Sequence, residues 1–488
     1  MTSLSALFSL LGILFYIKGR LSPPTNKSYT LIFLSLFICT PLTVLSKENG
    51  LLLPYFLLLI EFVFFRFNSP NKKLSVTLRY GSMLLIAIPV LIASYNYSHI
   101  INWVVGGYST RDFTLTERLL TESRVVCFYL RLIFLPNINL MGIFHDDIAL
   151  SSSLFSPANT LFSCLFILGL LISAIALIRK APIFSFGILF FFLGHSIESS
   201  FLSLEITHEH RNYLPLFGLV FMFCYYLTIL LETIPKNYKY IIISTLIIFL
   251  SGNTVLRASQ WGNQLLLSLT EVKNHPNSYR ANHELSRVYQ ILANHKTTNS
   301  HQYEKQSLTY ATKAYKLKPN KPGALLNLIH HSYLSHQPVS NDLYIQLYKL
   351  LKNRAITNKV TYTVSSFVDC TISKKCHPSS EQINTLLNTV LNASLINKDN
   401  KAKTIINLAK LAATENNHRL SIAYLIRATE ISNRFETHYL LTTTLIDFKF
   451  FDKALKQIMF MKTQNYNSAN FKRLTILKQK LKLTHTNK

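Results

Sequence analysis

The chain has 488 residues, a formal net charge of +27, and 49% apolar against 15% charged residues. That balance excludes an ordinary soluble globular protein, and the length allows at least two domains. The average hides a division: long apolar runs extend from Met1 to about Val255, and Lys-, Asn-, Thr- and Ser-rich amphipathic stretches follow from about Leu256. Divided after Ala258, the first part carries 18 Lys+Arg against 11 Asp+Glu and the second 32 against 12, so +27 separates into +7 and +20.

A helix needs about 20 mostly apolar residues to span the hydrocarbon core. Leu4–Ile17 comes first; it lacks a basic leader and a small-residue cleavage pattern, so it is expected to be a crossing and not a cleaved signal. Tyr29–Leu45, Leu51–Phe65 and Leu78–Tyr95 follow. Val125–Pro136 is interrupted by Arg131 and is too short to cross, so an interfacial or re-entrant helix is expected there. Thr160–Ile178, Pro182–Leu204, Leu214–Leu231 and Tyr240–Val255 complete eight crossings.

The connections holding Lys18, Arg20 and Lys27, then Arg66, Lys72, Lys73 and Arg79, then Arg179 and Lys180, then Lys236 and Lys239, alternate along the chain. The positive-inside rule puts them in the cytoplasm. The other loops, 46–50, 96–124, 137–158 and 205–213, then lie on the far side, with everything after Val255. Glu61, near a cytoplasmic end, is expected to snorkel towards Arg66.

Residues 259–488 read as a helical-repeat domain. Helix-pair repeats need small residues where helices cross and a breaker about every 34 residues. Ala311-x-x-Ala314-x-x-Leu317-x-Pro319 has that form, and Ala423-x-x-x-x-Ala428-x-x-Ile431-x-Asn433 is a looser copy, with Asn467 one repeat length on. Pro322–Arg354 and Glu381–Ser394 look helical between them, giving three or four pairs. The +20 charge fits either a polyanionic partner such as phospholipid headgroups or solvated faces. No tight basic cluster with interleaved aromatics points to nucleic acid. Cys370 and Cys376 would sit about 9 Å apart on one unbroken helix, too far to bridge. A helix break near Lys374–Lys375 and a disulfide are therefore expected, in an oxidising periplasm. Cys39, Cys127, Cys164 and Cys224 read as small buried hydrophobes.

Several clusters carry possible chemistry. In Ser46-Lys47-Glu48-Asn49-Gly50 the ammonium is placed to meet a lipid phosphate, or pairs with Glu48 at the interface. Thr116-Glu117-Arg118 and Glu122-x-Arg124 precede the Val125–Pro136 helix, and Arg131 at membrane depth calls for protein, water or an anion beside it. His145-Asp146-Asp147 holds the paired carboxylates of the apolar half: an acid/base or metal candidate, or a solvated turn. His195-x-x-Glu198 has one-face helical spacing. Glu205-x-x-His208-Glu209-His210-Arg211-Asn212-Tyr213-Leu214-Pro215 follows. A zinc-protease His-Glu-x-x-His would need histidine where Asn212 stands, so no metal is assigned, although His208 and His210 could share one. No nucleophile elbow, phosphate-cradling glycine loop or cysteine cluster implies a cofactor.

Three of these segments, in order, resemble the transmembrane and tetratricopeptide-repeat O-mannosyltransferases. Ser46–Gly50 is similar to their Lys-Glu-Gln-Gly stretch, Tyr129-Leu130-x-x-x-x-Leu135-Pro136 to a Tyr-Leu…Phe-Pro run, and Glu209-x-x-x-Tyr213-Leu214-Pro215 to Glu-Arg-Val-Leu-Tyr-Leu-Pro. Bacterial relatives show a closer Glu-His-Arg-Asn-Tyr-Leu-Pro form. The likeness covers most of residues 1–258, and architecture alone beyond that. It implies an all-α protein: a polytopic transmembrane bundle, partly of the GT-C glycosyltransferase kind, then a tetratricopeptide-like α-solenoid in the periplasm of a bacterial inner-membrane protein. It also implies a polyprenyl-phosphate-linked sugar as donor and a protein hydroxyl as acceptor. Lys47 and Arg211 would meet the donor phosphate, with Arg124 and Arg131 behind them and Glu48 and Tyr213 beside them, while Glu209 orients Arg211 or His210. Arg211 stands one place later than the arginine of the animal pattern. The family carries its presumed catalytic base on an acidic loop expected ahead of Met1, so the chain is expected to begin late and to transfer little sugar, with Asp146 and Asp147 as substitute bases. A non-catalytic membrane-anchored scaffold recruiting periplasmic partners is the alternative, and an O-antigen ligase or polymerase a third.

Overall fold

The computed structural model describes residues 1–295, 298–464 and 468–486, and these are helical, with isolated bridges but no strand. They fall into two compact units, Met1–Ser278 and Tyr279–Lys488.

The first unit contains α1 (Thr2–Leu21), α2 (Asn26–Ser46), α3 (Glu48–Phe65), α4 (Lys72–Tyr95), α5 (Tyr97–Gly107), α6 (Leu115–Phe134), α7 (Asn159–Ala176), α8 (Pro182–His195), α9 (Leu216–Glu232), α10 (Lys236–Trp261) and α11 (Gln264–Asn274). Six of these, α1–α4, α7 and α10, are long and apolar enough to cross a membrane; α8 and α9 are apolar but span 14 and 17 residues. The eight expected crossings are thus six full-length helices and two shorter ones. Val125–Pro136 is not a separate short helix: Val125–Phe134 is the second half of the 20-residue α6, and Leu135 and Pro136 lie beyond its end. A packed core joins α1–α3 to α8 through Tyr16, Leu53, Phe56, Ile60 and Phe190, and another joins α6–α9 through Val125, Tyr129, Phe191 and Leu219. By contrast, α4 and α10 bury none of their residues.

Burying a charge is tolerated only with a partner. Glu61, 1% exposed, is met by Arg20, whose Nε and Nη2 both donate to it, and by the Tyr16 hydroxyl at 2.8 Å. Arg66 is not its partner; Arg66 takes a left-handed conformation and ends the helix. Arg20 also donates to the Asn68 carbonyl at 2.8 Å, and Asn71 to the Tyr29 hydroxyl at 2.6 Å. These bonds bring the basic connections 18–29 and 66–73 to one end of the bundle.

The second unit holds α12 (Tyr279–Asn294), α13 (Ser300–Leu317), α14 (Pro322–Leu334), α15 (Asn341–Lys352), α16 (Asn358–Ile372), α17 (Ser380–Leu391), α18 (Lys398–Thr414), α19 (His418–Ile431), α20 (Phe435–Asp447), α21 (Phe451–Thr463) and α22 (Ser468–Thr486). Each packs on the next helix or the next but one along the chain. The division falls after Ser278 instead of after Ala258, because α11 bonds to the 143–147 loop of the first unit.

A repeat appears in the turns. Residues His336, Lys374, Asn416 and Lys449, after α14, α16, α18 and α20, all have positive φ, at 54°, 56°, 58° and 63°. The next amide closes a six-residue loop each time: Gln337 to Ser332 O, Lys375 to Cys370 O, Asn417 to Ala412 O and Phe450 to Leu445 O, at 2.9, 3.1, 2.9 and 2.8 Å. This is the Schellman closure of a helix end. It recurs at every second helix, in steps of 38, 42 and 33 residues (336 to 374, to 416, to 449).

Ala311, Ala314 and Ala428 are buried at helix crossings, but Ala423 is exposed and Ser421 takes the buried place. Asn467 lies outside the described residues. Cys370 and Cys376 are joined by a disulfide across the Lys374 turn, with Cα atoms 5.3 Å apart. The other four cysteines are free; Cys39 is buried, whereas Cys224 is exposed on α9 and is not a core residue.

Removing one member of a buried pair costs about 3–5 kcal/mol. Arg20→Ala should therefore destabilise the detergent-solubilised chain by roughly that much, and Arg20→Met with Glu61→Leu should recover most of it. A loss under about 1 kcal/mol for Arg20→Ala would show the pair to be dispensable.

Candidate functional site

The site is built from α6. A capping box starts this helix: Glu117 N donates to Thr114 Oγ1 at 3.3 Å and Thr114 N to Glu117 Oε2 at 2.8 Å. That start puts Arg118 and Glu122 one turn apart on the buried face. Arg118 is fully buried, and its guanidinium donates to the carbonyls of Glu198, Ser200 and Leu204 at 2.8, 2.9 and 2.6 Å. It also lies 2.9 Å from Glu122 Oε1. Burial pushes the Glu122 carboxyl up to about 7, against the opposing charges of Arg118 and Arg211. Arg111 adds a bond to the Ser203 carbonyl at 2.7 Å. The irregular 198–204 segment is thus ordered by side chains instead of by a backbone ladder.

Glu198, no longer on the helix of His195 because α8 ends there, reaches Lys47 Nζ at 2.8 Å. The expected pairing of Lys47 with Glu48 is therefore replaced, and Glu48 is exposed with no ion pair among the described residues. The turn that presents Lys47 needs Gly50: a Cβ there would lie 2.3–2.5 Å from the Thr43 and Val44 backbone. His195 is buried against Tyr129 and Phe191 and bonds Asn212 at 3.1 Å.

Tyr129 Oη accepts from His208 N at 2.8 Å and donates to His208 O at 3.1 Å. Arg211 is buried and donates to the Glu205 and Ile206 carbonyls at 2.6 and 3.0 Å, and Arg124 to Ala149 O at 2.6 Å. Contacts at Arg118, Arg124 and Tyr129, spread over about 16 Å of α6, all reach loops of this one end, so the helix runs along it. Glu209 orients neither Arg211 nor His210. Its Oε1 accepts from Gly142 N at 2.6 Å and lies 3.0 Å from His145 Nε2. His208 pairs with Glu205 at 2.7 Å. His210 and Tyr213 are exposed, and Lys47 lies within electrostatic reach of His210.

The paired aspartates face α11. Asp146 accepts from the Ser278 hydroxyl, and Asp147 Oδ2 lies 3.0 Å from His275 Nδ1. Glu271 accepts from Ile143 N and Phe144 N at 2.8 and 3.3 Å. Gly142 leaves room for this pairing, since a Cβ would approach His275 Nε2 to 2.8 Å and Glu271 Oε2 to 3.0 Å and one of those side chains would have to shift. Burial alone would raise the Asp147 carboxyl, but its bond to His275 and the imidazolium charge outweigh that and lower it. His275 is raised: burial opposes its charge, and Asp147 and Glu271 overcome that. A carboxylate held low and engaged in this way is a weak proton acceptor, and both aspartates act first as fasteners.

Arg131 differs from the other arginines of α6. Among the described residues it makes no side-chain hydrogen bond or ion pair, and it lines an open groove of about 790 Å³ with Phe134, Leu135, Asn139, Phe249, Asn253, Leu256, Gln260 and Thr270. One cation, several amides and apolar walls suit an anionic head carrying a hydrocarbon chain.

No protein-family model matches this sequence, and comparison with curated proteins finds no match. The sequence reading missed Arg118 as the clamp and His275, Glu271 and Ser278 as fasteners. No spacing signals a pairing across 128 residues, as in Asp147–His275.

The Asp147–His275 pair predicts a pH effect. The raised histidine contributes stability that is complete below its ordinary 6.5 and is lost as pH rises through its folded value. The lowered carboxylate contributes above its ordinary 3.8 and is lost as pH falls through its folded value. Melting temperature should thus fall as pH rises from 6.5, the ordinary imidazole value, through the raised folded value, and His275→Gln should flatten that slope. An unchanged slope in the variant would remove the pair from the account.

Proposed function

We propose that this chain is a bacterial membrane glycosyltransferase of the GT-C kind, moving a sugar from a polyprenyl phosphate to a hydroxyl of a periplasmic protein. The observation that carries the proposal is convergence: of the three segments resembling the O-mannosyltransferases, 46–50 is tied through Lys47–Glu198 to the turn leading into 205–215, with Lys47 in electrostatic reach of His210, and 129–136 through Tyr129–His208 to the start of 209–215. The basic connections 18–29 and 66–73 meet at one end as well, which fits a cytoplasmic face there. The recurrent closed turn of the second unit supports a tetratricopeptide-like solenoid, a platform for acceptor proteins.

In this reading the donor phosphate meets Arg131 in its groove or Lys47 at the loops, and the hydrocarbon chain lies along Phe249 and Leu256. The acceptor oxygen attacks the anomeric carbon as the bond from that carbon to the phosphate oxygen breaks. Negative charge develops on the leaving phosphate, where a fixed cation lowers the barrier. Arg118, Arg124 and Arg211 are bonded to carbonyls and hold the loops. The acceptor proton needs a carboxylate. Glu48, exposed and outside any ion pair among the described residues, suits that role better than Asp146 or Asp147.

The scaffold reading is favoured by one feature: the polar end satisfies most of its charges internally. Sugar incorporation into periplasmic protein separates the two. Lys47→Ala, Arg131→Ala and Glu48→Gln should each lower transfer by about 10²–10³-fold, with Lys47→Arg retaining part of it. Undiminished transfer in all three would sink the site, and absence of any transfer by the native chain would leave the scaffold. Sidedness has its own check. Cysteines at Glu48 and Ser152 should react with an impermeant maleimide from the periplasm, and one at Lys72 only after the membrane is opened. Labelling of all three from one side would overturn the topology.

A further inference from the structure

In the second unit, His330 of α14 projects onto the disulfide at the end of α16: its ring nitrogen and the sulfurs of Cys370 and Cys376 all lie within 4.8 Å of one another. Both cysteines are buried, at 7% and 1% exposure. The imidazole packs its ring on Phe367 and His331 and makes no hydrogen bond or ion pair among the described residues. A ring nitrogen of His330 with no other polar partner thus stands beside the two sulfurs.

The turn that brings the sulfurs together does not depend on their bond. The same left-handed residue and six-residue amide closure recur after α14, α18 and α20, where there are no cysteines. At the cysteine turn, Lys375 N and Cys376 N both donate to Cys370 O, at 3.1 and 3.2 Å. The backbone alone therefore keeps the two side chains adjacent after reduction.

We propose that His330, Cys370 and Cys376 form a redox-gated site for a thiophilic divalent cation such as Zn²⁺, closed as the disulfide and open as the dithiol. Two thiolates and one neutral imidazole are a ligand set that Zn²⁺ accepts, with water completing the tetrahedron. Metal–ligand distances of about 2.0–2.3 Å place ligand atoms roughly 3.3–3.8 Å apart, which small side-chain movements achieve from this cluster. A dithiol reductant supplies two electrons and two protons, itself becoming a disulfide, as the S–S bond opens to two thiols. The cation then displaces both thiol protons as it binds. This site is independent of the transferase reading.

The test uses the full chain in detergent, reduced with a dithiol that is then removed by gel filtration without air, and titrated with Co²⁺ as a coloured probe for Zn²⁺. The reduced chain should bind one Co²⁺ with thiolate-to-metal charge-transfer absorption, reversed by Zn²⁺, and the oxidised chain should show none. Cys370→Ser with Cys376→Ser retains the four free cysteines and should abolish the signal. His330→Ala and the larger His330→Gln should each weaken binding at least about tenfold, with helicity by circular dichroism unchanged. No absorption in the reduced native chain overturns the proposal. So does absorption that survives the double serine change, or affinity undiminished in both His330 variants.

Discussion

The 198–204 turn, on which the pairing of Lys47 depends, is held by one buried guanidinium. Arg118 has no access to water, and an unpaired cation there would cost several kcal/mol. It avoids that cost by collecting three carbonyls from 198–204 and the Glu122 carboxylate. The segment so ordered presents Glu198 to Lys47, and it leads directly into the 205–215 run. Without Arg118, the segment that carries Glu198 to Lys47 loses its three side-chain bonds.

The same constraint sorts the charges of the whole bundle into two classes. Arg20 with Glu61 and Arg211 with the 205–206 carbonyls lie in the interior and are matched there, and half-buried Arg124 donates to Ala149. Lys47, Glu48, His210, Tyr213 and Arg131 reach the surface or the groove. In the proposed reading, a lipid-borne substrate would meet the second class, of which, among the described residues, Lys47 alone is already paired, with Glu198. Arg211 thereby moves from a substrate contact to a loop brace, although its field is still felt by Glu122 and His210.

Much of the fold was legible in the sequence, since helix length, hydropathy and the break between Cys370 and Cys376 are local properties. Hydropathy located the apolar helices but overstated 182–204, where the helix stops at His195 because the following turn serves Arg118 and Lys47. Alanine spacing found Ala311, Ala314 and Ala428 but misplaced Ala423, because serine also fits a close helix crossing. The recurrent left-handed turn was invisible, as His336, Lys374, Asn416 and Lys449 share a conformation and not a residue type. At the site, sequence picked the segments correctly as neighbours of chemistry but paired them locally: Lys47 with Glu48, Glu61 with Arg66, Glu209 with Arg211. The structure pairs each across 41 or more positions, or with a different loop, since burial rewards any partner that reaches and not the one nearest in sequence.

The proposal's most direct test is whether a lipid phosphate occupies the groove at Arg131. Photocrosslinking the full chain in nanodiscs with a diazirine-bearing polyprenyl phosphate, followed by peptide mapping, tests it most directly. The account predicts labelling concentrated at 131–139 and 249–270, competed by unlabelled polyprenyl phosphate and reduced at least about tenfold by Arg131→Ala. Labelling spread evenly over α4 and α10, and indifferent to both competitor and Arg131→Ala, would contradict it.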